Sequence, residues 1–273
     1  MPVINIDGRL MAEDGGLPHD NRAFRYGYGL FETMLYRDGQ IELAPYHWER
    51  LFAAMEKLHF EKSKHFTPQM MEHEVQRTVR RNGLEALCRV RLQVWPGNGG
   101  LYDAGTFAPH FLVECFPLQN EVTQLNENGL TVGIAQHLFK SMDSLANLKS
   151  CNSLIYAMAA RQAKAHKWND ALVCNTEDGV IESTIANIFW IKNDVVHTPP
   201  LVEGCINGVM RRHLLDKLRT ENITVTEKKL PYGELILAEE VFLTNAIRKI
   251  KWIKQLGDIS YRIDKCQAIA SLL

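Results

Sequence analysis

The chain has 273 residues, 46% of them hydrophobic and 23% charged, the balance of a globular protein with material for one large domain or two modest ones. A net charge of -1 leaves no basic footprint for nucleic acid or for an anionic membrane surface. No stretch of about 18 uncharged apolar residues occurs, so no membrane span is expected, and the opening MPVINIDGRL lacks the cationic-then-apolar pattern of a secretory signal.

Those first ten residues read as a short strand, an Asp-Gly turn and a second strand. Residues 30–36 and 40–43 flank Asp38-Gly39, a strong hairpin signal. Pro45 opens a helix carrying His47, Trp48, Arg50, Leu51, Met55 and Leu58, and Thr67-Pro68 places an N-cap and a first-turn proline at the start of another. Strands are expected near 86–95 and 109–116, separated by the loop Pro96-Gly97-Asn98-Gly99-Gly100. Residues 117–128 are polar and weakly patterned. Dividing the chain there gives an N-terminal domain of 1–117, a linker of 118–128 and a larger C-terminal domain of 129–273.

Beyond the linker the pattern predicts strands near 129–136, 170–175, 180–182, 186–192, 195–198 and 240–245, with helices near 151–166 and 207–220. The basic segment Arg248-Lys249-Ile250-Lys251 reads as a solvated strand edge. Both halves mix short strands with helices without strict βαβ alternation, which argues an α+β fold. Six widely spaced cysteines without a C-x-x-C pair read as reduced thiols of a cytoplasmic protein. Ten histidines without metal-ligand spacing predict no metal site.

Four features are candidates for chemistry. Lys149 sits just before the helix predicted at 151–166, and Glu182 lies beyond the hairpin turn Glu177-Asp178-Gly179, beside apolar strand residues. Gly204-Cys205-Ile206-Asn207-Gly208-Val209 feeds a helix N-terminus, where free N–H groups and the helix dipole favour an anion. Arg50 could add a bidentate anion contact. Taken singly, each has a plainer reading: a solvated lysine, a surface strand carboxylate, an ordinary turn and a surface arginine.

Together they carry a resemblance. The run Glu182-x-Thr184-x-x-Asn187-Ile188-Phe189, then Val196-His197-Thr198, then Ile206-Asn207-Gly208-Val209-Met210-Arg211 resembles the signature of the class-IV aminotransferases, the fold-type IV pyridoxal-phosphate (PLP) enzymes. Tyr26-Gly27-Tyr28-Gly29-Leu30-Phe31-Glu32, His47-Trp48-Glu49-Arg50-Leu51, Leu148-Lys149-Ser150-Cys151-Asn152 and Glu239 to Asn245 resemble further segments of that family, in order. PLP chemistry needs a Schiff-base lysine, a carboxylate on the pyridine nitrogen and a phosphate site. The resemblance implies Lys149 for the first and Glu182 for the second. It implies Arg50 and the backbone amides of Ile206 and Asn207 for the third; the hydroxyl that many relatives place on the phosphate falls at Ala246 here and is missing, with Asn245 or Thr244 to compensate. It further implies a smaller N-terminal α/β domain, a larger C-terminal domain with a barrel-like sheet carrying Lys149, and a homodimer acting on a small molecule.

Within the family, Trp95-Pro96-Gly97-Asn98-Gly99-Gly100-Leu101-Tyr102 and Gly208-Val209-Met210-Arg211 resemble the 4-amino-4-deoxychorismate lyases more than the aminotransferases. The expected reaction is therefore the formation of 4-aminobenzoate and pyruvate, a step of folate synthesis. An aminotransferase of branched-chain or D-amino acids is the alternative. Arg89 and Arg91 share a strand face and could meet a carboxylate. Phe31, Thr33 and Asn98 are the candidates on the substrate side.

Overall fold

Two Asp-Gly turns organise the N-terminal half in the computed structural model, which describes residues 2–13, 16–103 and 105–273. Strands β1 (Val3–Ile6) and β2 (Arg9–Ala12) pair across Asp7-Gly8, both in left-handed conformation. The short helix α1 (Arg22–Tyr26) follows, capped by the Asn21 side chain, which accepts from Phe24 N. Strands β3 (Leu30–Arg37) and β4 (Gln40–Ile41) flank Asp38-Gly39, again with positive φ at both residues. Helix α2 (Ala44–Lys57) starts with a first-turn proline. Helix α3 (Pro68–Asn82) is capped by Thr67 and ends on left-handed Gly83.

With β5 (Leu87–Pro96) and β6 (Pro109–Pro117) these strands form a six-stranded sheet in the order β2-β1-β6-β5-β3-β4. Alternation divides its faces. One buries Leu30, Met34, Val90, Leu92, Val94 and Val113, with Leu51 and Met55 of α2 and Met71, Val75 and Val79 of α3 buried as well. The other carries the half-buried Phe31, Thr33, Arg89, Arg91 and Gln93.

The C-terminal half contains β7 (Leu130–Lys140), α4 (Leu154–Ala165), β8 (Asp170–Asn175), β9 (Val180–Ser183), β10 (Asn187–Lys192) and β11 (Val195–Thr198). It continues with α5 (Val209–Thr220), β12 (Val225–Glu227), α6 (Tyr232–Ile236), β13 (Glu240–Asn245), β14 (Lys249–Leu256), β15 (Ile259–Ser260) and α7 (Asp264–Ala270). The sheet runs β12-β11-β10-β13-β14-β7-β8-β9, and a further pairing of β9 with β10 closes six of these strands into a barrel. All six contribute to one buried apolar cluster, through Val132, Leu172, Val180, Ile188, Trp190, Val241, Leu243 and Ile253. The opposite sides of β10 and β13, Phe189, Ile191 and Phe242, pack with Leu214, Leu215 and Leu218 of α5. The expected α+β fold with its barrel-like sheet is thus what the chain forms.

Contacts divide the chain into two units: residues up to Val122 together with Lys149–Asn152, and Thr123–Leu148 together with Ser153–Leu273. The division falls inside the polar stretch 117–128. Lys149–Asn152, expected with the C-terminal domain, groups with the first unit because it runs antiparallel to the entry of β3: Phe31 N donates to Lys149 O (2.9 Å) and Cys151 N to Gly29 O (2.8 Å). Those backbone bonds also explain why α4 begins at Leu154 rather than 151. The basic segment differs from expectation too. Lys249 to Lys251 opens β14, which lies between β13 and β7 in the barrel, with Ile250 buried.

Candidate functional site

In the first unit, the candidate residues gather around β3. Lys149 Nζ lies 4.1 Å from the centroid of the Phe31 ring, and the Arg91 guanidinium lies at the same distance from that ring. Thr33 pairs with Arg91 across β3 and β5 on this half-buried face. Arg91 also faces Glu114 at 3.8 Å and bonds Gln93.

Glu32 points to the opposite face of β3, among buried apolar residues, where an isolated carboxylate would be costly. Arg50 of α2 meets it with both arms of its fork, Nε to Oε1 at 2.8 Å and Nη2 to Oε2 at 2.5 Å. His47, one helical turn earlier, places Nδ1 2.6 Å from Oε2. Burial pushes the Glu32 carboxyl up, but the charges and hydrogen bonds of Arg50 and His47 outweigh it and bring the pKa to about 2. For His47 burial wins over the pull of Glu32 and lowers the pKa. The ring is thus neutral at pH 7, where it donates from Nδ1, and adds its positive charge to that of Arg50 only at acid pH. The triad fixes Arg50 on its helix.

In the second unit, Glu182 stands where the barrel closes. It lies opposite Asn187 in the β9–β10 pairing, so the five-residue spacing of the signature is a hairpin at the seam. Glu182 is buried, and its Oε1 accepts from Lys140 Nζ and from the Tyr156 hydroxyl, each at 2.7 Å. Its Oε2 accepts from Ile206 N at 2.9 Å. A bulge delivers Lys140: between two paired positions β7 advances from Ile134 to Phe139 while β8 advances only from Leu172 to Cys174, with His137 at positive φ in the excursion.

The turn before α5 is fastened from several sides. Asn187 Nδ2 donates to Ile206 O (2.9 Å), and Asn147 Nδ2 donates to Leu201 O and Cys205 O. Asn207 N donates to Asn147 O (3.2 Å) and Gly208 N to Ile206 O (2.8 Å). The Ile206 and Asn207 amides, expected to face a phosphate, are therefore engaged within the protein. The N–H groups of the first turn of α5, from Val209 to Arg211, have no intrahelical acceptor. A Cβ at Gly208 would lie 1.9 Å from Asn187 Oδ1, so only glycine allows this close approach. Arg211 is buried and ties α5 to Pro199 O (2.8 Å) and Glu227 (2.6 Å).

Thr244 pairs with Asn187 across β10 and β13, and its buried hydroxyl has no hydrogen-bond partner among the described residues. Asn245 caps the following turn, its Oδ1 accepting from Ile247 N and Arg248 N. In the first unit, Asn98 accepts from Trp95 Nε1 (3.2 Å) on a loop held by Arg22, which is fully buried and donates to the carbonyls of Gly99, Leu101 and Tyr102. Sequence reasoning assigned no role to Glu32, His47, Lys140, Tyr156 or Arg22. Alternation on β3 could have exposed Glu32 as a charge on an apolar face; Lys140 and Tyr156 carry no local signal.

Comparison with known proteins bears on this geometry. Residues 29–256 match the model of the family described as amino-transferase class IV. An aminodeoxychorismate lyase of Vibrio harveyi is 26% identical over 248 residues, covering 91% of this chain and 90% of its own. One from Bacillus subtilis is 27% identical, covering 99% and 92%. The crystal structure of a branched-chain aminotransferase from Thermoproteus uzoniensis superposes with a TM-score of 0.88 at 22% identity, covering 98% of this chain and 92% of its own.

Proposed function

Because this chain belongs to the amino-transferase class IV family, we propose that it is a PLP-dependent lyase converting 4-amino-4-deoxychorismate to 4-aminobenzoate and pyruvate. The observation that carries the cofactor reading is the buried carboxylate of Glu182. Of its roughly four acceptor positions, the protein fills three, and one remains on Oε2 for the protonated pyridine nitrogen. The orphaned Thr244 hydroxyl, the glycine-only turn at Gly208 and the N-terminus of α5 fit a phosphate group.

PLP, when bound, supplies an electron sink for the carbon that bears the substrate amine. Lys149 holds the cofactor and then, through Nζ, takes the proton from that carbon. Glu182 keeps the ring nitrogen protonated. Arg50, the first turn of α5 and Thr244 hold the phosphate. Ile206 serves through its bond to Glu182, and Asn207 through Asn147, two residues before Lys149. Asn245 shapes the turn after Thr244. Phe31, Thr33 and Asn98 meet the substrate. The ether C–O bond breaks, the ring becomes aromatic, and the proton passes to the departing enolpyruvate, which leaves as pyruvate.

The two lyase relatives, each aligned over nine-tenths or more of both chains, support elimination rather than transamination. Purified protein given 4-amino-4-deoxychorismate without any keto acid is expected to yield pyruvate and 4-aminobenzoate in equal amounts. Turnover that requires 2-oxoglutarate and a branched-chain or D-amino acid would establish the aminotransferase instead. Six free thiols support a cytoplasmic setting. The exposed Phe24, Leu101 and Tyr102 support a homodimer, for which light scattering is expected to give twice the 31.2 kDa of the chain.

A further inference from the structure

We propose that Tyr156 and Lys140 are positioning residues: together they hold Oε1 of Glu182 so that Oε2 presents its remaining acceptor position to the cofactor's ring nitrogen in one direction. The inference rests on the cofactor reading above and concerns how this chain builds the carboxylate.

A glutamate carboxylate turns easily about its last bond, whose torsion is broad and roughly two-fold. One donor would leave that rotation open. Here three donors arrive from three elements: Lys140 from the end of β7, Tyr156 from α4 and Ile206 N from the turn before α5. Two grip one oxygen and one grips the other, so tertiary structure fixes the plane of the carboxylate as well as its place. The Lys140 ammonium also lies 5.4 Å from the Tyr156 ring centroid, and the ring covers the ion pair. Burial, reinforced by the negative charge of Glu182, pushes the Tyr156 phenol upward, so it remains a hydroxyl and a donor across the working range. Tyr156 stands seven residues beyond Lys149, on the helix that the lysine's segment feeds, so the cofactor lysine and this support of its carboxylate partner share one stretch of chain.

The competing reading is that Tyr156 and Lys140 merely satisfy a buried charge. The two differ in what the cofactor feels. If the residues aim Oε2 at the ring nitrogen, losing the Tyr156 hydroxyl penalises a cofactor that has that nitrogen and spares one that lacks it. The test is titration of the apoprotein with PLP and with its 1-deaza analogue, in which C–H replaces the ring nitrogen. Tyr156→Phe is expected to weaken PLP roughly tenfold, the scale of one hydrogen bond to a charged group, and to leave the deaza analogue within about twofold. The pH midpoint of the visible absorbance of the loaded enzyme should move as well. Lys140→Gln should show the same selectivity with a larger loss, and it decides the matter if Tyr156→Phe does not fold. Equal weakening of both cofactors, or no weakening of either, overturns the proposal. Wild-type protein that binds neither refutes the cofactor reading itself, a separate result.

Discussion

Glu32→Gln keeps the shape of a buried side chain and removes the charge that Arg50 and His47 share. Holding a carboxyl at about 2 rather than at 4.5 is worth on the order of 3 kcal/mol at neutral pH. Between pH 4.5 and 2 the unfolded chain takes up a proton at Glu32 that the folded chain refuses. The contribution is therefore complete above 4.5 and is lost as pH falls through that window. At its foot, the protonated acid and the amide present His47 and Arg50 with equivalent neutral partners. Urea unfolding of wild type and variant should show a stability gap of about 3 kcal/mol at pH 7. Below pH 4.5 the gap should narrow by about 1.4 kcal/mol per pH unit. A gap that stays constant from pH 7 to 3, or one below about 0.5 kcal/mol at pH 7, would refute the reasoning, since a buried pair that has lost one partner should cost several kcal/mol.

Two further substitutions probe the supports of the site. Gly208→Ala drives a methyl group against Asn187 Oδ1, which cannot retreat without giving up its hold on Ile206 O; a loss of about 1–3 kcal/mol in urea unfolding is expected, and a neutral result would refute the tight-approach argument. Arg22→Met keeps the buried stem but releases the carbonyls of Gly99, Leu101 and Tyr102. Backbone amide hydrogen exchange over residues 99–102 should become at least about tenfold faster, because local opening then costs less; an unchanged rate would show that Arg22 does not hold the loop.

Much of this was legible in local chemistry. Asp38-Gly39 set a hairpin because both residues tolerate positive φ, and Thr67-Pro68 set a helix start because one caps and the other needs no N–H partner. The spacing from Glu182 to Asn187 marked a hairpin whose ends are cross-strand partners. What escaped depended on contacts distant in sequence. Lys140 reaches Glu182 only because β7 bulges, and a bulge shifts register without a sequence mark of its own. Cys151 and Asn152 were expected to open the helix that follows Lys149, yet the entry of β3 offers this segment backbone partners and draws it out. Lys249 and Lys251 suggested an edge, but alternation with buried Ile250 and pairing with Asn245 and Leu243 place them on an inner strand. The Ile206 amide was expected to face a phosphate and instead holds Glu182, a distinction that turns on side-chain reach.

Lys149 is the residue expected to carry PLP. Borohydride reduction of the PLP-loaded protein, followed by peptide mass spectrometry, is expected to find the pyridoxyl phosphate group on the peptide containing Lys149 and to find none trapped in Lys149→Ala. A label on Lys140 or another lysine, or no label on a protein that has been given PLP, would contradict the account.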